Sequence, residues 1–424
     1  RRPPSSTLFP YTTLFRSGTQ SWFALAALLS DQQSEVVRSR PNLAVVSLDE
    51  DLLKLQEALE FFDPTLQVHI LPGFDMDLYS GLYPSAQIIG ERMGWLNAAQ
   101  TARPGQIFLA SASSIMQKTL PFKILANHRI FLKKNQTLPN DFSLHLSKLG
   151  YRSVPLVEDL GTFSIRGGII DVFSPAHRYP VRIELFADDV DSLRYFDPDT
   201  QRSLEETPTL TIIPPREAIF SDENVQAVAQ GFAASVVGRD VDPHEIKDLQ
   251  RSILQQQYFH GVDFLLPYFY SNLQSPTDHF SEPVNVWLLD SIEVQHQSDS
   301  LLGSLKSEFN KPHSIPICVD YQKIFAPFDS IDMPIDSRKI SLMKIHIQDG
   351  PTQDADLSLI DFRTAGMDEF RKACLGFSHN SSALAEFVGE KIRGWKQESQ
   401  TVFVTSHTDR KSTRLTPVTS VNLV

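Results

Sequence analysis

Residues 161–206 read GTFSIRGGIIDVFSPAHRYPVRIELFADDVDSLRYFDPDTQRSLEE, and the rest of the chain is organised around them. The spacing predicts three antiparallel strands. Residues 162–173 are rich in β-branched and aromatic side chains. Gly167-Gly168 in their middle permits a bulge or a close backbone approach, and Ser174-Pro175 ends the run. Residues 181–186 alternate strictly. Val181, Ile183 and Leu185 face a core, which turns Arg182, Glu184 and Phe186 together onto the opposite, wetter face. The turn Ala187-Asp188-Asp189 leads into a third strand over 190–196, closed by Asp197-Pro198-Asp199. By pattern alone this is a small sheet with one amphipathic Phe on its rim, since single exposed apolar residues are ordinary. A Phe beside an Arg on a solvent face nevertheless asks for a reason.

The stretches FSIRGGIIDVF at 163–173 and VRIELFADDVDSLRYFDPDTQR at 181–202 closely resemble the small domain shared by the excinuclease component UvrB and the transcription-repair coupling factors (Mfd). The resemblance implies a docking surface for UvrA, another component of the same excinuclease. Carried over position by position, it assigns the docking residues to Arg166, Arg182 and Phe186. The chemistry supports such a role: Arg offers planar, multi-donor contacts to carboxylates, and an adjacent aromatic supplies desolvated area. Against this stands an ion pair of Arg166 with Asp171 or Glu184, a common surface arrangement. Glu184 and Asp188 are expected to orient the arginines, and Arg194 and Arg202 to stabilise the fold or lie in solvent.

Composition sets the frame. A chain of 424 residues, 41% hydrophobic and 10% aromatic, supplies buried cores for about two to four domains. The formal charge of −12 argues against a surface that binds nucleic acid by general electrostatics. No apolar run is long enough to span a bilayer and no secretory signal is recognisable, so no membrane partner and a cytoplasmic location are expected. Two cysteines, Cys318 and Cys374, fit a reducing compartment as ordinary thiols.

Both ends read as foreign. Thr7 to Ser17, TLFPYTTLFRS, and Asp409 to Leu415, DRKSTRL, correspond to translated sequencing adapter, so residues 1–17 and 409–424 are set aside. The native segment is expected to run from Gly18 to about Thr408, an internal piece of a longer gene.

Within it, an apolar helix over 21–30, a strand over 43–46, a helix to Phe62 opened by a capping box at Ser47 and Glu50, and a strand over 68–71 follow in turn. A helix over 84–99, a strand over 106–110 and a short helix begun by Ser113 come next. Alternating strands and helices imply a parallel α/β layer. Its texture fits half of a RecA-like domain, placed at 18–128 and completed by 214–357 after the hinge Pro214-Pro215. The inserted small antiparallel α+β UvrA-binding domain occupies 129–213, with a helix over 142–150. Residues 301–358 carry little pattern. Residues 358–408 form a linker and the start of a next α/β domain, with a helix capped by Ser382 and a strand over 401–404.

A nucleotide site of RecA type needs a Gly-rich loop with a phosphate-reaching Lys and a metal-holding hydroxyl. The corresponding residues are Gly18-Thr19-Gln20-Ser21, and no Gly-Lys-Ser/Thr occurs in the chain. No cofactor is therefore expected here, and the scattered His, Ser and carboxylates give no catalytic or metal motif. The expected function is the N-terminal module of a transcription-repair coupling factor, which recruits UvrA to stalled RNA polymerase in nucleotide excision repair. ATP, Mg²⁺, RNA polymerase and DNA belong to a translocase lying outside this segment. The alternative is a UvrB-like damage-verifying ATPase of the excinuclease, which would need a phosphate loop and a DNA-clamping aromatic hairpin. A generic interaction domain that merely shares the fold would not bind UvrA at all.

Overall fold

A computed structural model describes residues 12–16, 21–31, 34–74, 78–343, 357–361, 372–374, 376–377 and 381–397. They fall in two units, residues 1–363 and 364–424.

In chain order the first unit begins with β1 (Thr12–Arg16), β2 (Asn42–Val46), β3 (Val68–Leu71) and β4 (Ile107–Ser111). It then departs into β5 (Ile130–Lys133), β6 (Arg152–Ser153), β7 (Thr162–Arg166), β8 (Ile169–Val172), β9 (Val181–Phe186), β10 (Asp189–Phe196), β11 (Ser203–Glu206) and β12 (Thr209–Ile212). It returns as β13 (Asn285–Leu289), β14 (Arg338–Met343) and β15 (Leu357–Asp361). The first and last groups form one seven-stranded sheet of order β15-β1-β14-β13-β2-β4-β3, all of whose pairings are parallel. β1 lies within the adapter-like residues 1–17. Strand pairing asks only for extended backbone, so it says nothing of where those residues come from.

Every residue of β2, β4 and β13 is buried, as a parallel sheet covered on both faces requires. Leu43, Val45, Phe108, Val286 and Leu288 join one core with helix Ala86–Gln100, while Ala44, Val46, Ile107, Leu109 and Trp287 join another with helices Ser21–Leu29 and Asp49–Phe62. The expected capping box at Ser47 is not formed. The helix begins one residue later than a box would need, with Leu48 as its cap; Ser47 donates instead to the Asp51 carboxylate at 3.4 Å. Asp49, Glu50 and Asp51 in the first turn meet the positive end of the helix dipole. The short helix Ala112–Met116 is capped by Ser111, with Ser114 completing a box, rather than begun by Ser113. Residues with little pattern in sequence contain the end of a long helix, Ser291–Phe309. Its buried residues Val294, Ser298 and Leu305 make too thin a stripe to signal amphipathicity.

The excursion closes on itself because β5 and β12, its entry and exit, pair antiparallel. Between them lies a six-stranded sheet of order β11-β10-β9-β8-β7-β6, packed with helix Phe142–Lys148 around Phe163, Val172, Val181, Ile183 and Leu193. The expected long strand over 162–173 is a hairpin. Gly167 takes φ +59° in a two-residue turn that pairs Arg166 with Ile169. The bulge lies instead in β10, between Val190 and Ser192. β11 extends the sheet beyond the turn that was expected to close it.

The small sheet region is seated on helix Ala86–Gln100 through two glycines. A Cβ on Gly94 would stand 2.5 Å from the Pro175 carbonyl oxygen, and one on Gly90 would stand 2.3 Å from Leu160 Cδ2. A buried ion pair locks the exit: Arg92 Nε donates to Glu217 Oε1 at 2.8 Å with both side chains fully buried, and Thr119 donates to Glu217 Oε2 at 2.5 Å. Nearby, His279 accepts at Nδ1 from Gln100 (3.0 Å) and donates from Nε2 to the Leu120 carbonyl (3.0 Å), a neutral tautomer assigned from these partners. Burial pushes its pKa down to about 4.

In the second unit, helix Ser381–Gln397 begins one residue before the expected cap. The expected strand over 401–404 and the loop at residues 18–20 lie outside the described residues.

The packing makes substitutions at two glycines and one histidine informative. Gly94→Ala is expected to destabilise the chain by about 1–3 kcal/mol in urea unfolding, because backbone must move. Gly303→Ala, on an exposed helical position with open space around its Cβ, is expected to stabilise it by up to about 1 kcal/mol. The His279 ring is held neutral in the fold, so its contribution is complete above pH 6.5 and is lost as pH falls from there towards 4. His279→Gln should therefore flatten the acid limb of stability, which pH-dependent urea unfolding reads directly.

Candidate protein-docking site

Alternation along β7 to β10 sends one set of side chains to the small-domain core and the other outward. The outward set stands in rows across the sheet. Ser164, Asp171, Arg182 and Arg194 are direct neighbours in register, and Arg166, Ile169, Glu184 and Ser192 form the next row. Phe186 ends β9 beyond them, opposite Asp189 across the turn at Ala187-Asp188. The structure therefore brings Arg166, Arg182 and Phe186 onto one face.

Asp171 organises this face. Its side chain is fully buried, yet it accepts from Arg182 Nε at Oδ1 (2.8 Å), from Arg182 Nη2 at Oδ2 (2.9 Å) and from Arg166 Nη2 at Oδ2 (2.6 Å). Arg182 lies over the buried Phe196 ring, 4.8 Å from its centroid, and its pKa is raised further by the Asp171 hydrogen bonds. Arg166 remains 47% exposed at its side chain against 18% for Arg182. The ion pair of Arg166 with Asp171 is thus formed, and it places the arginine on the face rather than withdrawing it. Phe186 is 81% exposed, with Ile169 also exposed in the outward row.

Glu184 makes no hydrogen bond to Arg166 or Arg182, though its charge adds to the rise in the Arg182 pKa. It accepts from Ser192 Oγ at 2.7 Å and lies 3.8 Å from Arg194, because register sets Ser192 opposite it. Asp188 is exposed, and its backbone carbonyl serves Leu138. Arg194 also pairs with Glu206 at 3.3 Å across β10 and β11, a stabilising role, and Arg202 is exposed. Sequence reasoning missed Asp171 as the shared anchor and Phe196 as the floor beneath Arg182. Taking Gly167-Gly168 as a hairpin turn sets Ser164 opposite Asp171 and brings Arg166 within diagonal reach of it, whereas the pairing of Asp171 with Arg182 is set separately between β8 and β9. Among the described residues no group of His, Cys, Asp and Glu could hold a metal ion, and no helix is long and apolar enough to cross a membrane. What the face offers is charge-assisted donors beside an exposed aromatic, the chemistry of protein recognition.

Residues 130–217 match the family described as the UvrB interaction domain. Over 336 residues the chain is 25% identical to the transcription-repair-coupling factor of Myxococcus xanthus, covering 77% of this chain and 27% of that protein. The corresponding factor of Haemophilus influenzae is 26% identical over 309 residues, 72% of this chain and 26% of its own length. That of Staphylococcus aureus is 31% identical over 177 residues, 42% of this chain and 14% of its own length. The chain thus spans about a quarter of the length of the first two relatives. Residues 130–217 resemble the UvrB interaction domain, and the chain that carries them resembles the N-terminal region of the transcription-repair-coupling factors.

Proposed function

We propose that the outward face of β7 to β10 docks UvrA, and that the chain serves transcription-coupled nucleotide excision repair by recruiting it to stalled RNA polymerase. The reading rests on one observation: an aromatic ring left 81% exposed on the same sheet face as two arginines that a buried carboxylate already holds in place. A ring so exposed adds little to stability, whereas at an interface it supplies desolvated area next to charged donors. The parallel layer acts as a RecA-like scaffold without a nucleotide site, supported by the lack of any Gly-Lys-Ser/Thr in the sequence. Contacts with RNA polymerase and DNA, and the use of ATP and Mg²⁺, are assigned to parts of a longer protein acting in the cytoplasm.

Titration of UvrA against the chain and against Arg182→Ala/Phe186→Ala tests the reading. The double variant is expected to lose at least about 2 kcal/mol, roughly thirtyfold in affinity. Phe186→Ala alone should leave unfolding free energy within about 0.5 kcal/mol, because the ring is exposed. Failure of the unaltered chain to bind UvrA overturns the function. Full affinity in a folded double variant overturns the residue assignment, and ATP turnover by the chain would favour the UvrB-like alternative.

A further inference from the structure

Two long, flexible arginine side chains at a docking face would ordinarily have to be ordered when the partner arrives. Here that ordering is built into the free chain. Asp171 stands directly opposite Arg182 across β8 and β9, and Arg166 reaches it diagonally from β7. Arg182 grips the carboxylate with Nε and Nη2, the two-pronged geometry a guanidinium favours, while the Phe196 ring holds its other side. Ser164, the direct neighbour of Asp171 on β7, turns its hydroxyl away to the Pro155 carbonyl at 3.1 Å and does not compete. Arg166 spends one amino group on Asp171 and stays half exposed, with the Phe186 ring standing out from the same face.

We propose that Asp171 is the positioning residue of the docking face: its buried carboxylate fixes both guanidiniums before a partner binds, so that the outer donors of Arg166 and the Phe186 ring meet a carboxylate beside an apolar recess. This rests on the reading of the face as the UvrA site. A carboxylate that merely stabilised the sheet would leave the affinity of the folded chain for UvrA unchanged when replaced by Asn.

A double-mutant cycle separates the two roles. UvrA affinity is measured for Asp171→Asn in the unaltered chain, in Phe186→Ala and in Arg166→Ala/Arg182→Ala. Asp171→Asn is expected to weaken binding about tenfold in the first two backgrounds and to have no further effect in the third. Unchanged affinity in the unaltered background, or the same loss without the arginines, overturns the proposal. Arginine side-chain NMR of the free chain gives a second readout that needs no partner. The Arg182 Nε–H should exchange with water much more slowly than that of exposed Arg202, and this protection should vanish in Asp171→Asn. Equal exchange of the two in the unaltered chain overturns the proposal, even if Asp171→Asn does not fold. Slow Arg182 exchange in a chain that fails to bind UvrA would remove the docking function while leaving the pre-set arginines standing.

Discussion

A carboxylate taken out of water needs its lost hydration replaced, and Asp171 has that replacement in three guanidinium hydrogen bonds. The outer surface of the small sheet follows from this. Arg182 must lie flat between Asp171 and Phe196, Arg166 must lean inward from β7, and the register of β7, β8 and β9 must hold both within reach. A one-residue slip in β7 or β9 would send an arginine to the apolar core and strand the carboxylate, and a slip in β8 would turn the carboxylate itself inward. The polar row therefore specifies register from outside while Val172, Val181 and Ile183 specify it from the core.

The face would be of little use if it swung freely, and the attachment to the parallel layer prevents that. Gly90 and Gly94 let Leu160 and Pro175 approach helix Ala86–Gln100 closer than any side chain would allow. The residues after Pro214-Pro215, read in sequence as a hinge, are pinned. Arg216 pairs with Asp263 at 3.1 Å, Glu217 pairs with Arg92, and Tyr151 donates to the Ile213 carbonyl at 2.6 Å. Breaking one partner of such a buried pair is far costlier than never having formed it, which makes the junction rigid more than it makes it strong.

Much of this was legible in the sequence. Strict alternation over β9 gave the two faces, and the alternation of strands with helices gave a parallel layer, because both periodicities are set by backbone geometry. What failed depended on choices the local chain leaves open. A Gly pair serves a bulge and a two-residue turn equally well, and only the pairing of Arg166 with Ile169 decides between them. Ser47 had the spacing of a helix cap, but the helix starts after Leu48 and leaves it outside. Asp171 read only as one possible partner of Arg166, because the two-pronged contact from Arg182 arrives from another strand. Helix Ser291–Phe309 hid for the opposite reason: it buries so few apolar residues that its sequence has little period to read.

The central claim is that a partner lands on this face and leaves the parallel layer untouched. Backbone amide hydrogen exchange of the chain with and without UvrA tests it most directly. Slowed exchange confined to the two hairpin tips, residues 165–169 and 185–189, and to the outer rows of β8 and β9 is the predicted result. Protection on the parallel layer with both tips unchanged would contradict it.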